Sequence, residues 1–201
     1  MRADARRNRD CIVAAALELF RARGTGVSMD EIAREARVGV GTLYRHFPDR
    51  QALVDEIATS AMRELLDFSR DAAATDLSRW QVFLEIVRKC TELPLAMLKS
   101  LREENPDSVD LSELKQAQEA VFLRLFAEAQ REGSMRPDVP ADEVLSVLNV
   151  MVCRPGARAG DHLVTVMLDG LRAGPVVDGD AGVEQPARRQ PEHRVERAAQ
   201  V

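Results

Sequence analysis

The sequence predicts an all-α protein, and three observations support this class. Runs rich in alanine, leucine, glutamate and arginine recur, with apolar residues three or four positions apart as on one side of a helix. Glycine and proline interrupt these runs, and no segment shows the strict alternation of a half-buried strand. The chain of 201 residues is long enough for one ordinary domain or two small ones that share an interface.

Four helices are predicted in the first third of the chain. They cover about residues 5–23, a short segment that follows Ser28, about residues 40–46 and about residues 49–70. Gly24 ends the first helix, since glycine is the common residue just beyond a helix end. Ser28 and Glu31 have the spacing of a capping box at the start of the second helix. Asp49 opens the long fourth helix.

A second helical region is predicted from about Asp76. Its helices are one marked by Trp80, Phe83, Leu84 and Val87, one over 95–101, and three over about 111–132, 142–153 and 162–172. The polar stretch 102–110 reads as a loop, and Gly133 ends the long helix before it. Residues 174–201 contain few large apolar side chains and predict a disordered tail.

The charge distribution favours a nucleic-acid reader joined to an acidic body. The net charge is −5, yet residues 1–51 carry ten arginines against seven acidic residues. No apolar window approaches 18 residues and no signal core follows the arginine-rich start, so we expect a cytoplasmic protein without a membrane partner. Cys11, Cys90 and Cys153 lie too far apart for a metal motif, and we expect reduced thiols on apolar helix faces.

An enzyme is the first rival class, and the sequence offers it little. Zinc-protease, phosphate-loop and nucleophile-elbow motifs are absent from the sequence. The glycine pair in residues 39–42 is half of a glycine-rich loop, but it follows a short helix where a dinucleotide fold needs a strand. His46, His162 and His193 are too scattered for a ligand set. We therefore expect no catalytic residue, no metal and no cofactor.

The segment from Ser28 to Leu53 is the most informative part of the chain. Two short helices separated by a tight turn, packed against helices one and four, make a helix-turn-helix. At 100° per residue, the second of them places Leu43 and Phe47, with Val40 close by, on the buried face. Its other side carries polar and small residues: Gly41, Thr42 and Arg45 point outward, and Tyr44 and His46 lie on the flanks. Such groups bond base edges or phosphates.

These residues resemble the DNA-binding domain of the TetR family of bacterial regulators. The matching pattern consists of Ile32-Ala33, Val38-Gly39, Thr42-Leu43-Tyr44, His46-Phe47, Arg50 and Leu53. The resemblance is strong over residues 7–57. Beyond them it rests on general helical architecture and on the segment LDGLR at 168–172.

The resemblance implies a role for each matching residue. Base edges would be approached by Val40, Gly41, Thr42 and Arg45; phosphates by Tyr44, His46 and Arg50, with Ser28 and Met29 near the DNA backbone. Arg6, Arg7 and Arg9 are candidates for phosphate or minor-groove contacts, or are merely solvated. Packing is the alternative for Tyr44, and capping for His46. Arg45 is the strongest candidate for reading a base, because a guanidinium can fork onto guanine.

Two departures from the family pattern bear on the turn and on the operator. Arg37 occupies the turn position where the family carries glycine, which predicts a positive φ at a residue that tolerates it poorly. Gly39 stands where the family has a serine or threonine cap, and glycine is a weaker cap.

The resemblance also implies a homodimer and a small-molecule effector for the second region. We expect residues 1–52 to bind DNA at a palindromic operator, 53–173 to bind the unknown effector, and about 142–173 to dimerise. The dimer residues would be Val144, Leu145, Leu148, Val152, Leu163, Val166, Met167 and Leu171. Candidate pocket walls are Trp80, Phe83, Met97, Leu101, Phe122, Phe126 and Met151. For both sets, burial in the monomer core is the alternative, and a scaffold protein with nonspecific DNA affinity is the rival function.

Overall fold

A computed structural model describes residues 2–24, 26–102, 108–154 and 156–174. Most of the predicted loop 102–110 and nearly all of the predicted tail 174–201 lie outside the described residues. Within the described part of the chain, the all-α prediction is confirmed: helices form every regular element, and no helix is long and apolar enough to cross a membrane.

Nine helices follow one another along the described residues. They are α1 (Arg2–Arg23), α2 (Met29–Glu35), α3 (Val40–His46), α4 (Arg50–Ala73), α5 (Arg79–Glu92), α6 (Leu95–Arg102), α7 (Val109–Glu132), α8 (Ala141–Val152) and α9 (His162–Leu171). The predicted helices are all present, with ends that differ by one to three residues. Such shifts are expected where the last turn frays or tightens.

Side-chain caps fix where these helices begin and end. Ser28 and Ser78 each form a capping box, and Asp49 accepts a hydrogen bond from the Ala52 backbone amide at 2.8 Å. These contacts satisfy backbone N–H groups that have no partner in the first turn of a helix. Gly133, with φ of 77°, ends α7 in the left-handed conformation that glycine adopts without strain.

Two hydrophobic clusters form the core, and α4 runs through both of them. The first joins α1, α2 and α3 to the start of α4 and also contains Leu98 of α6 and Leu111 of α7. The second packs α5, α7, α8 and α9 against Leu65 of α4. Met62, on α4, packs against both clusters. A displacement of α4 would therefore be felt in both cores.

The end of α9 is tied to the turn between α7 and α8. The Arg136 backbone amide donates to the Leu171 carbonyl at 3.0 Å, and the Ala173 amide donates to the Ser134 carbonyl at 3.2 Å. The Arg136 guanidinium adds a hydrogen bond to the Gly170 carbonyl at 3.0 Å. These bonds fix α9 beside α8 and determine which side of the pair faces outward.

Candidate nucleic-acid interface and effector cavity

A tight turn over residues 36–39 sets the angle between α2 and α3. The Val38 backbone amide donates to the Ala33 carbonyl at 3.0 Å, and Arg37 between them has φ of 55°. This is the hydrogen bond of a Schellman ending with its left-handed residue in place. The positive φ predicted for Arg37 is confirmed. Gly39 begins α3 without a side-chain cap.

Replacing Arg37 by glycine is expected to stabilise the protein. A non-glycine residue in the left-handed region costs on the order of 1–2 kcal/mol, part of which the flexibility of glycine in the unfolded chain offsets. We expect the free energy of unfolding to rise by about 1 kcal/mol and the melting temperature by about 2–4 °C. Thermal unfolding measures this. Arg34→Gly, within α2, is the control and must destabilise; a lower melting temperature for Arg37→Gly contradicts the prediction.

The recognition helix α3 has one buried and one exposed side. Leu43 and Phe47 are fully buried in the first cluster, as predicted. Val40 was predicted to share their face, and this is wrong, since 42% of its surface is exposed. Val40 heads the helix, where the side chain tilts back past the helix end and beyond its neighbours. Tyr44 is exposed as well, so the packing alternative for its ring is not what the structure shows.

Arg45 and Thr42 form a pair on the exposed side of α3. The Arg45 guanidinium Nη2 donates to the Thr42 hydroxyl at 2.8 Å across one helical turn. Gly41, beside them, is also exposed, and a Cβ added there would meet nothing within 4 Å. The pair holds the guanidinium over the open face while leaving donors for a further acceptor. This is the arrangement that direct reading of a guanine edge requires.

Two arginines that the sequence analysis offered to phosphates make contacts inside the domain. The Arg50 guanidinium donates to the Val27 carbonyl and lies 4.9 Å from the centre of the Phe20 ring. Arg9 forms an ion pair with Glu56 at 2.5 Å and lies 4.6 Å from the centre of the Phe47 ring. Both therefore hold α4 against the helix-turn-helix.

The remaining predicted DNA contacts lie around these elements. Arg9 also donates to the His46 carbonyl at 3.5 Å, and the His46 side chain is half-buried. Arg6 and Arg7 are exposed on α1. Met29 is buried, so only its backbone remains as a candidate contact to phosphate.

Ser28 and Glu31 fix the start of α2. The Glu31 carboxylate accepts hydrogen bonds from the Ser28 backbone amide and the Ser28 hydroxyl, both at 2.9 Å, and pairs with Arg23 at 2.5 Å. The Ser28 amide, then its hydroxyl, then the Arg23 guanidinium lower the pKa of Glu31 to about 2. The box therefore keeps its charge down to strongly acidic pH.

Replacing Glu31 by glutamine is expected to change how stability depends on pH. A lowered folded-state pKa means that the carboxylate stabilises the fold above its ordinary pKa of 4.5 and that this contribution disappears as pH falls to about 2. Glutamine keeps the capping geometry but does not titrate. Urea unfolding between pH 5 and pH 2 should show a shallower fall in the variant. Glu35→Gln, on the same helix, is the control; equal slopes for Glu31→Gln and the unaltered protein contradict the prediction.

A cavity of about 550 Å³ lies among α4, α5, α6, α7 and α8. This volume is typical of pockets that bind drug-sized molecules. Apolar side chains make most of its wall: Ala58, Met62, Leu65, Leu95, Leu98, Leu111, Phe122, Leu145, Leu148 and Val152. Ala58, Leu98 and Leu111 also belong to the first core cluster. The cavity thus shares its wall with the domain that carries α3.

The predicted pocket residues are largely wrong. Only Phe122 lines the cavity; Trp80, Phe83, Phe126 and Met151 are buried in the second core cluster. Phe83 and Phe126 meet edge to face with ring centres 5.4 Å apart, which fills the space that we assigned to a ligand. Met97 and Leu101 pack against the first cluster. Large aromatic side chains at helical spacing are here core residues.

The sequence analysis missed the polar wall of the cavity. Lys99, Lys115, Gln118, Glu119 and Asn149 line it, together with the thiols of Cys90 and Cys153. Burial raises the pKa of the Cys90 thiol to about 12 and also raises that of Cys153, so both thiols stay protonated at neutral pH. Cys11, expected on an apolar face, is exposed instead.

One polar residue of this wall carries a signal in the sequence. Leu111, Gln118 and Leu125 follow at intervals of seven and share one side of α7, where all three are buried. A glutamine within an apolar heptad series is costly unless its amide is satisfied. That break in the pattern would have identified the position.

The outer side of α8 and α9 carries exposed apolar side chains. Val166 is 67% exposed, Val150 54% and Leu163 44%. Leu145 and Met167 are half-buried beside them. The other predicted dimer residues lie in the monomer core instead: Val144, Leu148, Val152 and Leu171. They face α7 because α8 packs its opposite stripe against that helix.

Family models match both regions of the chain. Residues 12–57 match the model of bacterial regulatory proteins of the tetR family. Residues 81–173 match the model of the C-terminal domain of SbtR-like transcriptional regulators. The second match extends the likeness through the region that the sequence motifs left at general architecture.

Solved structures and curated proteins agree with these matches. The TetR transcription regulatory protein from Mycobacterium vanbaalenii is 33% identical, with 85% of this chain and 98% of that chain covered at a TM-score of 0.62. The TetR transcriptional regulator SCO0520 from Streptomyces coelicolor is 28% identical, with 83% and 99% covered at 0.61. An HTH-type transcriptional regulator from Staphylococcus aureus is 48% identical over 54 residues. That match spans 26% of this chain and 29% of the regulator's length.

Proposed function

Because this chain belongs to the TetR family of bacterial transcriptional regulators, we propose that it is a homodimeric repressor that a small molecule releases from its operator. Proteins of this family are DNA-binding regulators rather than enzymes, and we extend the absence of catalysis to this chain. In this proposal, residues 1–52 bind DNA, residues 53–173 bind the effector and dimerise, and the protein acts in the cytoplasm. The Arg45 side of α3 enters the major groove.

The position of α4 is the observation that carries the proposal. Its first turns pack Leu53 and Ile57 in the same cluster as Leu43 of the recognition helix. Its middle places Ala58, Met62 and Leu65 in the wall of the cavity. A ligand that prefers one position of α4 would shift the equilibrium between two orientations of α3 by its difference in affinity for them.

Dimerisation gives the DNA-binding half its specificity. One recognition helix reads only a few base pairs, whereas two copies across a palindrome read twice as many at a fixed spacing. The exposed apolar side of α8 and α9, centred on Val166, is the surface that supports this assembly.

Selection from random duplex DNA by the purified protein tests the function. We expect enrichment of a palindrome whose half-sites lie about one helical turn apart or a multiple of it. Binding to this sequence should persist at moderate salt, where nonspecific binding through phosphates weakens steeply.

Failure of the selection would favour the rival function. If no motif is enriched, and DNA is retained at low salt alone, only nonspecific charge attraction remains. The chain would then be a helical scaffold or partner-binding protein. An enriched motif placed upstream of a reporter gene then decides the sign of regulation, with repression expected.

A further inference from the structure

Gln118 carries a buried amide that is only half satisfied. Its side chain, 4% exposed, belongs to the cavity wall. Its Nε2 donates to the hydroxyl of Ser69 on α4 at 3.0 Å, and among the described residues its Oε1 has no hydrogen-bond partner. Buried polar atoms are nearly always paired. A ligand group that bonds to this amide would complete it.

A hydroxyl is the ligand group that suits this position. It can donate to Oε1, and it can equally accept from the amide nitrogen if the two ends of the amide are exchanged. A charged group would have to leave water beside Met62, Leu65 and Phe122, which line the same part of the cavity. The deep end of the cavity therefore selects a neutral polar group.

The rim of the cavity carries a net positive charge. Lys99 and Lys115 line it against one carboxylate, that of Glu119. Both lysines act on the Cys153 thiol, where each favours the thiolate, so both ammonium groups lie near the same part of the wall. One excess positive charge suits a ligand with a single negative charge, and Asn149 adds an amide for hydrogen bonding.

The geometry points to an aliphatic monocarboxylate that carries a hydroxyl as the effector of this protein. Its hydroxyl would bond to Gln118, its carboxylate would lie at Lys99 and Lys115, and its hydrocarbon part would fill the space between them. One aromatic side chain, Phe122, lines the cavity, so its wall offers no stacking cage for an aromatic ligand. This inference rests on the proposed function, because it concerns the ligand of the same cavity.

Calorimetric titration of the full chain with ten-carbon probes tests this class. The probes are 3-hydroxydecanoate, 10-hydroxydecanoate, decanoate, decanol and decylamine. We expect one hydroxydecanoate to bind about tenfold more tightly than decanoate, as one hydrogen bond to a buried polar atom provides. Decanoate should bind more tightly than decanol, with an advantage that shrinks at high salt, and decylamine should bind worst.

Variants assign each group of the ligand to its partner. Gln118→Leu should remove the advantage of the hydroxyl and leave decanoate unchanged, with Gln118→Met as a second variant of similar length. The double variant Lys99→Met with Lys115→Met should remove the advantage of the carboxylate. Gln116→Leu and Arg124→Met, at exposed positions of α7, are the matched controls and should change neither.

The outcomes separate this inference from the proposed function. Equal affinity for all probes, tightest binding of decylamine, or insensitivity to both cavity variants would overturn the ligand class. So would the absence of binding by a protein that still selects an operator, and the DNA-binding function would then stand. Tight binding of a hydroxydecanoate without release of DNA would support the ligand class and contradict the proposed release.

Discussion

Replacing Arg45 by alanine is expected to abolish base preference at one symmetric pair of operator positions and to weaken operator binding strongly. The guanidinium is exposed on α3 and held there by Thr42 at 2.8 Å. A bidentate contact to guanine contributes about 1–3 kcal/mol of discrimination, and a dimer makes it twice. We expect a loss of affinity of roughly 30-fold or more, measured by fluorescence anisotropy on the selected operator at fixed salt.

The readout for Arg45 distinguishes a base contact from a phosphate contact. Arg131→Ala removes the same charge near the end of α7, and operator affinity should not change. Because Arg45 is exposed, its replacement should shift the free energy of unfolding by less than about 0.5 kcal/mol. A uniform loss on every sequence, with a smaller salt dependence, would instead assign Arg45 to the DNA backbone.

Replacing Val166 by aspartate is expected to dissociate the dimer and, with it, operator binding. Val166 is the most exposed apolar residue of α9 and lies on the proposed interface. A carboxylate buried there in both subunits would be unpaired and close to its own copy, which disfavours association strongly. Light scattering should show a fall in mass from twice 22.3 kDa to 22.3 kDa. Operator affinity should fall about 100-fold or more, since a single half-site remains.

A second exposed valine provides the control for this variant. Val109, 73% exposed at the start of α7, is equally apolar and lies outside the α8–α9 surface. Val109→Asp should leave both the mass and the operator affinity unchanged. A Val166→Asp protein that stays dimeric, with its melting temperature preserved, would move the interface away from this side of α9.

Local rules made the DNA-binding half predictable from the sequence. The Ser28–Glu31 box, the left-handed Arg37 and the left-handed Gly133 each depend on residues a few positions apart, and the structure has all three. The split of α3 into buried Leu43 and exposed Arg45 follows from helical period alone. Val40 departed from this rule because it heads its helix and the period says nothing about where the neighbouring helices end.

The cavity depends on contacts between residues far apart in the chain. Ala58, Cys90 and Leu148 line it from three different helices, and no spacing in the sequence relates them. Trp80 and Phe83 looked like pocket walls because large apolar side chains serve equally well in a core. Whether such a residue faces a ligand or another ring is decided by how helices pack.

The sequence by itself determined that the chain is all-α, where its helices lie, and which side of α3 carries the DNA-reading groups. Those features follow from periodicity, caps and turns, whose energies are local. The tertiary structure decided that Arg9 and Arg50 brace α4, that Val144 and Leu171 are core, and that Gln118 faces a cavity. Those assignments required the packed arrangement, because a side chain's burial and partners are set by elements distant in the sequence.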